Sequence, residues 1–191
     1  MYEEPIKIPL EEYGIFEKLI YKSIMYINKN NIFKNIHPNV ITILRFILAI
    51  LSIYLYYKYE TTGFGIFVIF TYLLNIFLDY LDGYIARSYD KCTAMGDVLD
   101  HIFDWTLFFL LYYITKNKSI INNILLFINL LLLAGYFGFH QMIHNKSNKI
   151  YEILDLTKML VIFDKNIYVY FSDVTFYLHL IILFIYKNLM N

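Results

Sequence analysis

The chain has 191 residues, 59% of them hydrophobic and 20% aromatic, with 16 Lys and Arg balanced by 16 Asp and Glu. That balance gives no sign of the basic face a nucleic-acid partner requires, and the single Cys92 excludes both an intramolecular disulfide and a multi-cysteine zinc site. Apolar runs this long and this frequent point to burial in lipid rather than to one soluble core, with room for one domain of several spans.

Residues 10–28 mix Glu11, Glu12, Glu17, Lys18 and Lys22 with apolar positions at Phe16, Leu19, Ile20 and Ile24. The spacing predicts an amphipathic helix, lying on a membrane surface or packed on the rest of the protein. The first long apolar run starts near Val40, behind a charged segment, which is not the layout of a cleavable signal peptide. Between them, NKNNIFKNIHPN is polar, and Pro38 marks the start of the next helix. The expected division is an amphipathic and juxtamembrane segment, 1–38, followed by a transmembrane domain, 39–191.

Val40–Tyr57 is the first expected span, with Arg45 its only charged residue. A second runs from Phe64 to Tyr84 behind the break at Thr61–Gly63, and Ser88–Thr93 is a polar turn. Met95–Ile114 and Ile120–Gly138 follow as the third and fourth. Ile150–Phe163 carries Glu152, Asp155 and Lys158 and reads as a short, partly interfacial fifth helix, and Ile167–Tyr186 as the sixth. The expected fold is therefore an all-α, multi-pass integral membrane protein of six transmembrane helices, preceded by an amphipathic surface helix. With the N-terminus inside, Lys7, Lys18, Lys22, Lys29, Lys34, Arg87, Lys91, Lys146, Lys149 and Lys187 fall on the cytoplasmic side. Only Lys58, Lys116, Lys118 and Lys165 fall opposite, so the positive-inside rule puts the turn between the second and third spans on the cytoplasmic side.

Four aspartates flank that turn: Asp79 and Asp82 before it, Asp100 and Asp104 after it. Separations of three and four place each pair on one face of its helix, and a short turn makes the two helices antiparallel neighbours. The four carboxylates converge and repel one another unless a cation lies between them. Arg87 supplies one charge at most, which leaves a divalent ion. Oxygen-only ligation favours a hard ion, Mg²⁺ or Mn²⁺, of the kind that serves phosphate chemistry. Gly83, Ala86 and Gly96 fit that use by letting a nucleotide approach the backbone.

Asp79-x-x-Asp82-Gly83-x-x-Ala86-Arg87, then eight residues, then Gly96-x-x-x-Asp100-x-x-x-Asp104, resembles at every specified position the signature of the CDP-alcohol phosphotransferases. His37-Pro38-Asn39-Val40-Ile41-Thr42-x-x-Arg45 is similar to the segment that opens the family's first span, while the last fifty residues resemble it weakly. The resemblance implies transfer of a phosphoalcohol or phosphatidyl group from a CDP-linked lipid donor to a small polar alcohol, releasing CMP. Carried onto this chain, it makes Asp79, Asp82 and Asp100 metal ligands, and Asp104 both a contributing ligand and the general base. It places Gly83, Ala86, Arg87 and Gly96 around the cytidine diphosphate, and it implies a membrane-embedded enzyme, often a homodimer.

The short chain resembles the branch that uses CDP-diacylglycerol. Leu78 through Arg87 and residues 147–171 lean toward inositol as acceptor. Trp105 stands where inositol enzymes have Arg, and His101 is similar to the choline and ethanolamine enzymes. Phosphatidylglycerophosphate and phosphatidylserine synthesis stay open beside these. A cation transporter is the rival of another class, although clustering toward one membrane side speaks against it. A structural relative with a blocked pocket is the third reading.

Other residues carry plainer expectations. Asp97 reads as a solvated first-turn aspartate, and His101 as a packing residue about 100° around the helix from Asp100. Arg45 reads as snorkelling to the interface by default, with reach to lipid headgroups or an acceptor phosphate as the alternative. His140 and His144 lack a third metal ligand nearby. Lys146, Lys149 and Lys158 serve topology or a polar acceptor.

Overall fold

The computed structural model describes residues 10, 13–59, 61–115 and 173–190, with scattered positions between 123 and 131. Every element among them is helical: α1 (Ile15–Ile27), a 3-10 turn (Asn28–Asn30), α2 (Pro38–Tyr59), α3 (Thr62–Ser88), α4 (Ala94–Thr115) and α5 (Asp173–Met190). The chain divides into two compact units, one holding residues 19–115 and 180–191, the other 7–18 and 116–179. The expected fifth span and nearly all of the expected fourth lie outside the described residues, as do His140, His144, Lys146, Lys149 and Lys158.

In the second unit, Gly14 N–H donates to the buried Glu17 carboxylate, which closes the first turn of α1. Glu17 is fully enclosed. The start of α5 also belongs here, with Val174 buried.

In the first unit, α2, α3 and α4 are long and apolar enough to cross a bilayer, at 22, 27 and 22 residues. At 1.5 Å per residue they reach about 33, 40 and 33 Å, against a hydrocarbon core of about 30 Å. Three of the six expected spans are thus present at that length among the described residues, and α5 contributes a shorter apolar stretch, Tyr177–Lys187.

The helices stop where backbone groups find other partners. Thr61 Oγ1 accepts from Phe64 N–H at the start of α3. Thr93 Oγ1 does the same for Gly96 N–H, 3.0 Å, at the start of α4. α3 continues past the expected end at Tyr84 to Ser88, because Tyr84 and Ile85 are buried. It closes where Lys91 N–H reaches back to Ala86 O, 2.8 Å, around Asp90 at φ 51°. Arg87 consequently lies on a helix and not in a turn.

α2 is the element against which both α3 and α4 pack, whereas α3 and α4 do not pack closely along their lengths. The neighbours expected from the short turn meet through side chains, the carboxylates at one level and Tyr72 at another, with α2 contacting each helix. On the α3 side small side chains let the backbones approach: Ala49 is fully enclosed, and Thr71 Oγ1 donates to Ser52 Oγ at 2.8 Å. On the α4 side Phe46 stacks on Phe103 with centroids 3.9 Å apart. Tyr72 bridges α3 to α4 through its hydroxyl, which donates to Leu107 O at 2.9 Å. Tyr56 meets Phe184 edge to face, and Lys187 Nζ donates to Ile114 O at 2.6 Å, tying α5 to the ends of α2 and α4.

α1 is amphipathic, with one face packed on the rest of the protein. Tyr21, Ile24 and Asn28 are buried, Tyr21 against Tyr80 and Asn28 on the Tyr89 hydroxyl at 3.0 Å. Ile15, Phe16, Leu19, Tyr26 and Ile27 are exposed on the opposite side. Of the expected apolar stripe, Ile24 belongs to the packed face, because Tyr21 and Asn28 share its side of the helix.

Overfilling the closest helix contact tests this packing. Ala49→Leu is expected to destabilise by about 1–3 kcal/mol in thermal unfolding of the detergent-solubilised chain. Ile47→Leu, at an exposed position of the same helix, is expected to change stability by less than about 0.5 kcal/mol.

Candidate functional site

The site lies entirely within the first unit and draws on one face of each of three helices. α3 carries Asn75, Asp79 and Asp82 at i, i+4 and i+7, and α4 carries Asp100 and Asp104 at i and i+4. α2 brings Asn39, Thr42 and Arg45, each three residues from the next. Counted from the helix ends that meet at the polar turn, the carboxylates stand roughly 9–15 Å down the helices.

Arg45 is the centre of the arrangement. Its side chain is fully buried, and its guanidinium lies among all four aspartates. Nη2 is 2.7 Å from Asp79 Oδ1 and also donates to Asp100 Oδ1. Nη1 donates to Asp104 Oδ1 at 2.8 Å and to Asn75 Oδ1 at 3.3 Å. Nε faces Asp82 Oδ2 at 3.5 Å, and that same oxygen accepts from Thr42 Oγ1 at 2.6 Å. The expectation that Arg45 snorkels to the interface is therefore overturned. Four converging carboxylates attract the one cation within reach more strongly than distant headgroups do.

One guanidinium does not satisfy this much negative charge. Asp79 Oδ1 is buried and accepts no hydrogen bond despite its ionic contact, and Arg45 Nε is buried and donates none. Asp79, Asp82 and Asp100 each offer an oxygen, all within 4.8 Å of one another, the spacing of ligands around one ion. Asp104 is not in that group. Its side chain is the most open of the four, at 34% exposure against 7% for Asp82.

The small residues hold space for neighbouring polar side chains. A Cβ on Gly83 would lie 3.0 Å from Arg87 Nη2, so glycine lets that guanidinium fold back along its own helix. From there Arg87 donates to the Tyr21 hydroxyl at 3.2 Å. A Cβ on Gly96 would lie 2.8 Å from Asn39 Oδ1, so glycine admits the amide from α2. Ala86, on the turn after Gly83, is half-buried. The room expected beside these glycines is thus bordered by Arg87 and Asn39. Asp97 is an exposed first-turn residue and His101 is half-buried, both as expected.

A family model described as CDP-alcohol phosphatidyltransferase matches residues 35–185. The chain belongs to that family. The match takes in α2, α3, α4 and most of α5, and so extends well beyond the aspartate motif into the region where sequence resemblance is weak. A CDP-diacylglycerol–glycerol-3-phosphate 3-phosphatidyltransferase of Aquifex aeolicus (strain VF5) is 32% identical over 107 residues, 52% of this chain. The chain spans 58% of that relative's length. No solved structure matches. Membership of this family lends the transporter reading no support.

In this family member, sequence reasoning found the four aspartates, Gly83, Arg87 and Gly96, but missed what α2 and Asn75 contribute. The signals were present. Asn75 is a polar residue in an apolar run, in helical register with Asp79 and Asp82, and Arg45 is the lone charge of its span. Thr42→Val removes the hydroxyl from a buried carboxylate and is expected to lower stability by about 1–3 kcal/mol, with Thr42→Ser restoring most of it. Thermal unfolding of both variants checks this, and equal stability of the Val variant and wild type would show that the bond contributes nothing.

Proposed function

We propose that the chain transfers a phosphatidyl group from CDP-diacylglycerol to glycerol 3-phosphate, releasing CMP, from a site on the cytoplasmic side of a multi-pass membrane domain. The arrangement that carries this reading is four carboxylates from two helices converging where one buried oxygen lacks a hydrogen bond. The acceptor rests on the printed activity of the Aquifex relative. That weighs against the inositol lean drawn from residues near Leu78 and 147–171, which has no support beyond that resemblance. The distribution of lysines supports the cytoplasmic side.

The Asp79 oxygen that accepts no hydrogen bond and the all-oxygen donor set fit a hard divalent ion, with Asp79, Asp82 and Asp100 as the residues to hold it and Asp104 at its edge. Bound there, Mg²⁺ or Mn²⁺ would neutralise charge on the diphosphate and orient an in-line displacement. The protein's own groups do the rest. Arg87 beside Gly83 and Asn39 beside Gly96 border the space assigned to the cytidine diphosphate. Asp104, the most open carboxylate, accepts the acceptor's hydroxyl proton as that oxygen bonds to phosphorus and the bond to the CMP oxygen breaks. Arg45 Nη1 donates to Asp104 Oδ1 and so fixes that carboxylate's position.

Purified protein given Mg²⁺ or Mn²⁺, CDP-diacylglycerol and separate portions of glycerol 3-phosphate, inositol and serine is expected to release CMP with glycerol 3-phosphate alone. EDTA is expected to abolish turnover and added metal to restore it. Turnover with inositol instead would reverse the assignment of acceptor, and none with any acceptor would remove the reading. Asp104→Asn is expected to lower kcat at least about 100-fold while retaining donor binding. Equal loss of both would contradict its role as base.

A further inference from the structure

We propose that Arg45 is the resident counter-cation of the acidic site, and that a divalent ion enters by displacing its Nη2 from Asp79 and Asp100. The inference rests on the metal reading given above and deepens it. Asp79 and Asp100, the two carboxylates that share Nη2, are two of the three whose oxygens lie within 4.8 Å of one another. A hard ion draws carboxylate oxygens to about 2.0–2.6 Å from its centre. A guanidinium nitrogen held between Asp79 and Asp100 occupies the space such an ion needs.

The hold of Arg45 on this trio is incomplete. Five N–H groups in one plane cannot align with four carboxylates arriving from two helices. Nε donates to nothing although Asp82 lies beside it, and Asp79 Oδ1 accepts nothing although Nη2 lies beside it. The other end of the guanidinium is better placed. Nη1 holds Asp104 at 2.8 Å and Asn75 at 3.3 Å, neither of which belongs to the trio. Arg45 therefore has a position to withdraw to without leaving the site. Loading the ion turns it from counter-cation of the whole cluster into a positioning residue for Asp104.

A purely structural role and a competing role predict opposite changes in metal affinity. In a competing role, removing the charge frees the ligands and tightens binding. The test compares wild type with Arg45→Met, both full-length in detergent at pH 8, by electron paramagnetic resonance titration with Mn²⁺ and by thermal unfolding. The variant is expected to melt lower without metal and to bind Mn²⁺ at least tenfold more tightly than wild type. Equal or weaker binding by the variant, with wild type binding Mn²⁺, overturns the inference and leaves the metal reading standing. A wild-type chain that binds no Mn²⁺ removes both. If the Met variant does not fold, the wild type decides. Arg45 and Arg87 are the only arginines of the chain, so arginine-selective ¹⁵N labelling gives two sets of side-chain signals, and Arg87→Lys assigns them. Mg²⁺ is expected to shift the Arg45 set, and unmoved Arg45 signals in protein that binds metal overturn the proposal.

Discussion

Charge compensation at depth governs this molecule. Four carboxylates in apolar helices repel one another, and leaving them unpaired away from water is prohibitive. The described structure answers with one fully buried arginine from a third helix, which touches all four. Much of the packing follows from that need. α2 contacts both carboxylate helices, which meet through their aspartates at the site and through the Tyr72 hydroxyl lower down. Small residues line the α2–α3 contact because the arginine stem must reach the carboxylates from close by. Thr42 and Asn75 then take up the hydrogen-bonding capacity that ion pairing leaves over.

The ends of the same helices are as ordered as the site they flank. Asp90 closes α3 in the left-handed region, Lys91 Nζ reaches the carbonyls of Lys34 and Ile36, and Tyr89 engages Asn28 and Asn31. These contacts fasten the segment before α2 to the turn before α4. The three helices therefore enter at fixed heights, which sets Arg45 level with the aspartates. α1 continues this collar through Tyr21, which meets both Tyr80 and Arg87.

Most of the fold described, and half of the site, could be read from the residues. The spans at α2, α3 and α4 announce themselves by length and hydropathy, and the aspartates by their improbability in such runs. Helix ends were less legible. α3 outlasts its apolar run by a turn because burial and a capping geometry, rather than hydropathy, decide where it stops. The partner of the carboxylates was misjudged for a related reason. One arginine near the end of a span has two outlets, the interface or the interior, and only the tertiary position of α2 chooses between them. The packed face of α1 was hidden likewise, since Tyr21, Ile24 and Asn28 share no chemistry until α3 supplies their partners.

Gly96 and Asn39 lie 57 residues apart in sequence, yet a methyl on the first would strike the amide of the second. The two positions are therefore sterically coupled: a side chain gained at 96 is accommodated by turning or shortening the one at 39, so the size of one residue on α4 sets the rotamer of another at the mouth of α2.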